Sequence, residues 1–178
     1  MLFDKFKVFN RTPNVEMKEE MTIVFLLDSG YTAPGQNRTV RLMEFLAAAG
    51  GDQLQVIGLH RGAAGEERPV KWPNLMYAPS GTDLRPFYKG RIVMWADNPI
   101  YHSTMKSAHP SLVIYDDREK GISGEEEAEM YEVADLVFSY DPDNQIHPKI
   151  VYIPSSPAGA IKALDLIQRT PNRKPPRQ

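Results

Sequence analysis

Short, uninterrupted apolar runs recur along most of this chain, and polar stretches with turn residues separate them. An apolar run of about four to eight residues is typical of a strand that is buried on both faces of a parallel sheet. Such runs predict seven strands, at Thr22–Asp28, Leu54–His60, Leu75–Ala78, Arg91–Asp97, Ser111–Asp117, Asp135–Tyr140 and Lys149–Pro154.

Between these runs, apolar residues recur at helical spacing behind residues that favour a helix start. An Asn, a Pro or a Ser-x-x-Glu capping box at such a position supports a helix N-terminus. Helices are predicted from Asn37 to Gly50, from Pro99 to Ala108, from Ser123 to Ala134 and from Ala158 to Gln168. Alternating strands and helices imply parallel strands with right-handed crossovers. We therefore predict an α/β fold, with a Rossmann-like, doubly wound, mostly parallel sheet of about six or seven strands in three α/β/α layers.

The two ends of the chain differ from this pattern. Residues 1–20 read as an arm, in which Leu2–Phe9 alternates aromatic and charged residues before a polar linker. The arm could lie on its own domain, on a second copy or on a membrane surface. Residues 21–168 form the predicted domain. Residues 169–178 form a basic, Pro-rich tail that we do not expect to be ordered.

The composition limits which binding partners and which cellular compartment the chain is suited to. The net charge is −2, although the tail carries basic residues and no acidic one, so the domain itself is acidic. An acidic domain argues against an extended nucleic-acid surface. No apolar run has the roughly 18 residues that a membrane span requires, so no transmembrane segment is predicted, and the charged start does not resemble a signal peptide. The absence of cysteine fits a reducing compartment, and we expect a cytoplasmic location.

The candidate site residues lie where the predicted strands end, because ligands of open parallel sheets bind outside the carboxyl ends of the strands. Polar residues collect there in six groups: Asp28, Ser29 and Gly30; His60 and Arg61; Asp97 and Asn98; Asp116 and Asp117; Ser139 and Asp141; Ser155 and Ser156. Asp116 and Asp117 are adjacent in a strand, so their side chains should diverge, which makes them a poor acid–base pair. His102 follows a strand end and could act as a base, although a surface role is the simpler interpretation.

Several familiar site motifs are missing from the chain. The glycines at 30 and 35 fit neither a dinucleotide fingerprint nor a phosphate-binding P-loop, and no Gly-x-Ser-x-Gly is present. The four histidines have no ligand spacing. Asp28 together with Asp116 or Asp117 could hold a hard cation such as Mg²⁺. On balance we predict no cofactor and no metal.

Three stretches of sequence resemble one enzyme family. They are VMWADNP (Val93–Pro99), HPSLVIYDDRE (His109–Glu119) and EEEAEMYEVADLVFSYD (Glu125–Asp141), followed by the strand KIVYIP (Lys149–Pro154). In this order they are similar to the amino-terminal, acceptor-side domain of GT-B fold glycosyltransferases, and Ile23–Arg41 fits that domain more loosely. Where the family has Pro-Asn-Gly, this chain has Pro154, Ser155 and Ser156, and only a short segment follows, in place of the family's donor-binding domain.

The resemblance implies the acceptor-binding half of a split glycosyltransferase, which we do not expect to be active alone. It implies catalytic roles for Asp97, Asp116 and Asp117. The implied substrate-binding residues are Asp28, Ser29, Gly30, Asn37, Asn98, His102 and Ser139. The expected partner is a donor-domain subunit, or a second copy bound through the arm Leu2–Phe9, with weak membrane contact as a further option. Two other interpretations stay open: a non-catalytic binding or assembly module on the same half-fold, and a small stand-alone nucleotide-binding α/β enzyme.

Overall fold

A computed structural model describes residues 15–27, 38–61, 71–118 and 124–174. The strands are β1 (Met21–Leu27), β2 (Leu54–His60), β3 (Leu75–Pro79), β4 (Arg91–Ala96), β5 (Leu112–Asp116), β6 (Leu136–Ser139) and β7 (Ile150–Tyr152). The α-helices are α1 (Arg38–Gly50), α2 (His102–Ala108), α3 (Glu125–Val133) and α4 (Pro157–Arg169). Three short 3₁₀ helices cover Gly51–Gln53, Arg85–Phe87 and Pro99–Tyr101.

The seven strands form a single parallel sheet in the order β3-β2-β1-β4-β5-β6-β7. This arrangement confirms the Rossmann-like fold class predicted from the apolar runs. The strand order reverses between β1 and β4, because β2 and β3 lie on one side of β1 while β4 to β7 follow on the other. In such a sheet the reversal leaves a crevice at the carboxyl ends of the central strands, which is where ligands bind.

The sheet separates two apolar cores. On one face, Ile23, Phe25 and other alternate strand residues pack against α1 and α4. The indole of Trp95 lies at the centre of this core, with ring centroids 4.9 Å from Phe25 and 5.0 Å from Phe138. On the other face, Val24 and its neighbours pack against α2 and α3. Alternate residues of each strand therefore pack against opposite helical layers, so the central strands are apolar on both faces along most of their length.

Two predicted helix starts differ in detail from the structure. Pro99 opens a 3₁₀ turn rather than the α-helix, which begins at His102, and the Asn98 side chain caps this turn by accepting a hydrogen bond from the Ile100 amide at 3.0 Å. The N-cap of α3 is Gly124, which has no side chain to accept a hydrogen bond. Ser123, the predicted capping residue, lies outside the described residues.

The residues that directly follow α4 are bound to the domain, although the sequence predicts an unordered tail there. The Arg173 amide donates to the Ser111 carbonyl at 2.8 Å, and Arg173 Nη1 donates to the Val133 carbonyl at 3.0 Å. The second bond satisfies a carbonyl at the end of α3, which is a favourable place for a cation. At the other end of the chain, the Val15 amide donates to Ala49 at the end of α1. The arm Leu2–Phe9 lies outside the described residues.

A close approach of two segments sets the start of β1 beside the start of β4. The Arg91 amide donates to the Glu20 carbonyl at 3.1 Å, and Gly90 takes a left-handed φ of 56° next to it. A Cβ atom at Gly90 would lie 2.0 Å from the Glu20 oxygen. Gly51 has nearly the same φ, 58°, but a Cβ atom there would meet no atom within 4 Å.

We expect Gly90→Ala to destabilise the fold far more than Gly51→Ala. Both substitutions impose the left-handed penalty of about 1–2 kcal/mol on an L-residue. Only Gly90→Ala adds a clash with backbone atoms, which raises the total loss of unfolding free energy to roughly 2–5 kcal/mol. Chemical denaturation of the two variants measures the difference. Equal losses would contradict the close packing of Glu20 against Gly90.

Candidate functional site

The candidate carboxylates lie at the carboxyl edge of the sheet, beside the strand reversal. Asp97 follows β4, Asp116 ends β5 and Asp117 comes next. Asp97 and Asp116 continue the face that α1 and α4 cover, because Thr39 and Arg38 in the first turn of α1 bind them. Asp117 lies on the face that α3 covers and binds Tyr131 of that helix. The predicted divergence of Asp116 and Asp117 is therefore confirmed.

Asp116 forms a buried ion pair with Arg38. Arg38 Nε donates to both carboxylate oxygens, at 3.0 and 3.1 Å, and Arg38 Nη1 donates to Ser155 Oγ at 3.0 Å. The Asp116 side chain is fully buried, and that of Arg38 is 10% exposed. The remaining guanidinium nitrogen, Nη2, is buried and has no hydrogen-bond partner. Arg38 thus joins the start of α1 to the end of β5 and to the residue that precedes the cap of α4.

Burial raises the pKa of Asp116 from its ordinary value of 3.8 to about 6. The Arg38 guanidinium acts in the opposite direction and lowers the pKa, but by less than burial raises it. The Asp97 carboxylate raises the pKa further, and Arg118 lowers it slightly. The carboxyl group is therefore ionised at neutral pH and binds a proton under mildly acidic conditions.

Asp97 is held from two sides and remains at the rim of the sheet. Thr39 Oγ1 donates to Asp97 Oδ2 at 2.9 Å, and Arg118 Nη1 lies 3.3 Å from the same oxygen. Asp97 is 6% exposed, whereas the Arg118 side chain is 47% exposed. Arg118 therefore reaches from solvent over the buried carboxylate.

Asp117 and Ser139 belong to a separate polar network under the loop that follows β6. Tyr131 donates its hydroxyl hydrogen to Asp117 Oδ2 at 2.6 Å, and burial followed by this bond raises the pKa of Tyr131. Asn144 Nδ2 lies 3.4 Å from Asp117 Oδ2 and 3.3 Å from Ser139 Oγ. Asp117 and Ser139 are fully buried. Their contacts fix the loop rather than face an open space.

The other predicted site residues are scattered. Asn98 caps the turn after β4, as described above, and borders the same edge as Asp97. His102 Nδ1 lies 3.7 Å from a Glu129 carboxylate oxygen, so it joins α2 to α3. Four predicted substrate-binding residues lie outside the described residues: Asp28, Ser29, Gly30 and Asn37.

An open cleft of about 470 Å³ lies between the ends of β4 and β5 and the first turn of α3. Its lining residues are Asp97, Asn98, Pro99, Tyr115, Arg118, Glu126 and Glu127. Three carboxylates face one guanidinium in this set. Asp116 and Asp117 are not part of the lining.

Sequence reasoning missed the residues that give this site its form. Arg38 and Thr39 directly follow the predicted cap Asn37, and the first turn of the helix after the first strand points toward the carboxyl edge of such a sheet. The position of Arg38 and Thr39 in the sequence could therefore have identified them as site residues. Arg118 could have been found because it follows two aspartates. Nothing in the sequence indicated that Glu126 would face the cleft while Glu125 does not line it.

Neither a metal site nor a membrane span is evident in the described parts of the chain. No group of three or more His, Cys, Asp or Glu side chains there could hold an ion. None of the described helices is both long enough and apolar enough to cross a bilayer. Comparison with protein-family models, with curated proteins and with solved structures finds no significant match.

We expect Asp116 to make stability depend on pH. Because its pKa is higher in the folded protein than its ordinary value of 3.8, the folded state binds more protons than the unfolded chain between about pH 4 and pH 6. The contribution of this group to stability therefore falls as pH rises through that range. The difference in unfolding free energy between the unchanged chain and Asp116→Asn, measured by denaturation at a series of pH values, should fall in the same way.

Asp83→Asn provides the control for this measurement. Asp83 is exposed, and its pKa is lowered by the hydrogen bonds from Arg85. The difference in unfolding free energy between the unchanged chain and Asp83→Asn should rise or stay level with increasing pH. A flat profile for Asp116→Asn would show that burial does not disfavour the charge of Asp116.

Proposed function

We propose that this domain is the acceptor-binding half of a glycosyltransferase, which acts together with a donor-binding half. The supporting observation is the acidic cleft beside Asp97. The cleft has the composition of a site for hydroxyl groups, because carboxylates and the Asn98 amide offer hydrogen-bond acceptors while Arg118 offers donors. Pro99 and Tyr115 add apolar wall, against which the carbon face of a sugar ring can lie.

The charge of the cleft favours an acceptor over a nucleotide. Asp97, Glu126 and Glu127 together outweigh Arg118, so the lining is negative when all four groups are ionised. A nucleotide diphosphate is itself strongly negative, and like charges in a partly enclosed site repel each other. A neutral or cationic acceptor has no such penalty. This comparison also argues against the stand-alone nucleotide-binding enzyme.

The position of Asp97 suits the handling of an acceptor hydroxyl. Thr39 and Arg118 both bind Oδ2, which fixes the orientation of the carboxylate at the wall of the cleft. A carboxylate held in this way can accept a hydrogen bond from a hydroxyl group and orient it toward a donor. Asn98 and the glutamates at the start of α3 would bind further hydroxyls of the same acceptor.

A second candidate function is a non-catalytic binding or assembly module. The observation in its favour is that two of the three predicted catalytic carboxylates are fully buried and bound by protein groups: Asp116 by Arg38, and Asp117 by Tyr131. Neither carboxylate lines the cleft, so both stabilise the fold and do not reach a ligand there. In this alternative the cleft is a surface feature without a sugar ligand.

The paired glutamates at the start of α3 allow a matched test. Glu126 lines the cleft, whereas the neighbouring exposed Glu125 does not. We expect a panel of neutral methyl glycosides to contain at least one that binds and shifts the amide resonances of Asp97, Asn98 and Arg118. Loss of a charge-assisted hydrogen bond in Glu126→Gln should weaken that binding by about tenfold. Glu125→Gln should leave it unchanged.

The same titration separates the two candidate functions. Binding that Glu126→Gln weakens and Glu125→Gln does not supports an acceptor site. Equal effects of both variants would indicate a general effect of charge on the surface. The absence of any saturable shift at these three amides across the panel would favour the assembly module.

A further inference from the structure

A second open pocket, of about 420 Å³, lies at the opposite edge of the sheet from the acidic cleft. It is formed by the end of α2, the residues before β5 and the segment that follows α4. Its lining residues are Met105, Lys106, His109, Pro110, Ser111, Arg173 and Lys174. Because β5 begins at Leu112, the pocket lies at the amino-terminal edge of the strands.

The polar groups of this pocket are mainly basic. Lys106, His109, Arg173 and Lys174 line it, and no carboxylate does. Arg173 Nε lies 3.8 Å from Asp135, which compensates part of its charge. No hydrogen bond or ion pair joins the side chains of Lys106, His109 or Lys174 to another residue in the described ranges. Basic groups converging without acids repel one another, and a bound anion would relieve that repulsion.

The pocket is fixed in place by backbone and side-chain bonds. The Arg173 amide donates to Ser111, and Arg173 Nη1 donates to Val133, so the segment after α4 is held against the start of β5. Met105 and Pro110 are buried and form an apolar floor. The basic groups therefore come from two segments about sixty residues apart, which these bonds hold together.

We infer that this pocket binds a phosphate group, carried either by a free phosphate or phosphate ester or by an anionic lipid headgroup. Lysine ammonium groups and the planar guanidinium of arginine are the side chains best suited to phosphate oxygens. Because Met105 and Pro110 are buried, they offer no exposed apolar surface for insertion into a membrane. The inference does not rest on the proposed acceptor function, because none of the pocket residues lines the cleft.

The test is a titration of the chain with inorganic phosphate at constant ionic strength, with chloride as the balancing anion. We expect saturable shifts of the amide resonances of Lys106, His109, Ser111 and Arg173. The double variant Lys106→Gln/Lys174→Gln removes two cations without disturbing Arg173, and should weaken binding by tenfold or more. The matched control is Lys71→Gln/Lys89→Gln, which removes the same charge from exposed lysines that do not line the pocket.

A second arm identifies the source of the phosphate group. The chain is sedimented with vesicles of phosphatidylglycerol and phosphatidylcholine, and separately with phosphatidylcholine alone. Phosphate binding that only the pocket variant weakens supports a site for free phosphate or a phosphate ester. Vesicle binding that requires phosphatidylglycerol and is lost only in the pocket variant supports a headgroup site. If neither ligand binds, or if both double variants weaken binding equally, the inference is overturned.

Discussion

The buried ion pair between Arg38 and Asp116 organises the carboxyl edge of this domain. A charged group inside a protein requires a partner, and Arg38 Nε, which contacts both carboxylate oxygens, supplies one for the aspartate that ends β5. Through Ser155, the same arginine also reaches the segment that leads into α4. The pair therefore fixes how α1, β5 and α4 meet. It also removes Asp116 from the cleft, which leaves Asp97 as the rim aspartate beside Glu126 and Glu127.

The two edges of the sheet differ in charge. At the carboxyl edge, an open cleft carries three carboxylates and one guanidinium, which is suited to hydroxyl groups and unfavourable for a diphosphate. At the amino edge, four basic groups and no acid surround a smaller pocket. The net charge of −2 conceals this separation, because Arg173 and Lys174 lie beside the start of β5. The carboxyl edge therefore favours cationic ligands, and the amino edge favours anionic ligands.

The sequence predicts the layers of this fold better than it predicts the site. Continuous apolar runs such as TIVFLLD identify strands buried on both faces, and the alternation with helices implies the parallel sheet. The side-chain period of two also predicts that Asp116 and Asp117 diverge. It does not predict their partners, because Arg38 is 78 residues from Asp116 and is brought to it only by the packing of α1 on the sheet. For the same reason, composition alone suggested an unordered tail, whereas Arg173 finds carbonyl partners at Ser111 and Val133 that no local pattern reveals.

We propose that the cleft beside Asp97 receives a neutral, hydroxylated acceptor and excludes the nucleotide sugar. Saturation-transfer NMR on one sample that contains the chain, a methyl glycoside selected for binding and a uridine diphosphate sugar tests this claim most directly. We predict saturation of the glycoside protons, no saturation of the uracil or ribose protons, and no loss of the glycoside signal as the nucleotide sugar is added. Saturation of the uracil protons together with displacement of the glycoside would contradict the account, because it would mean that the acidic cleft accepts a diphosphate.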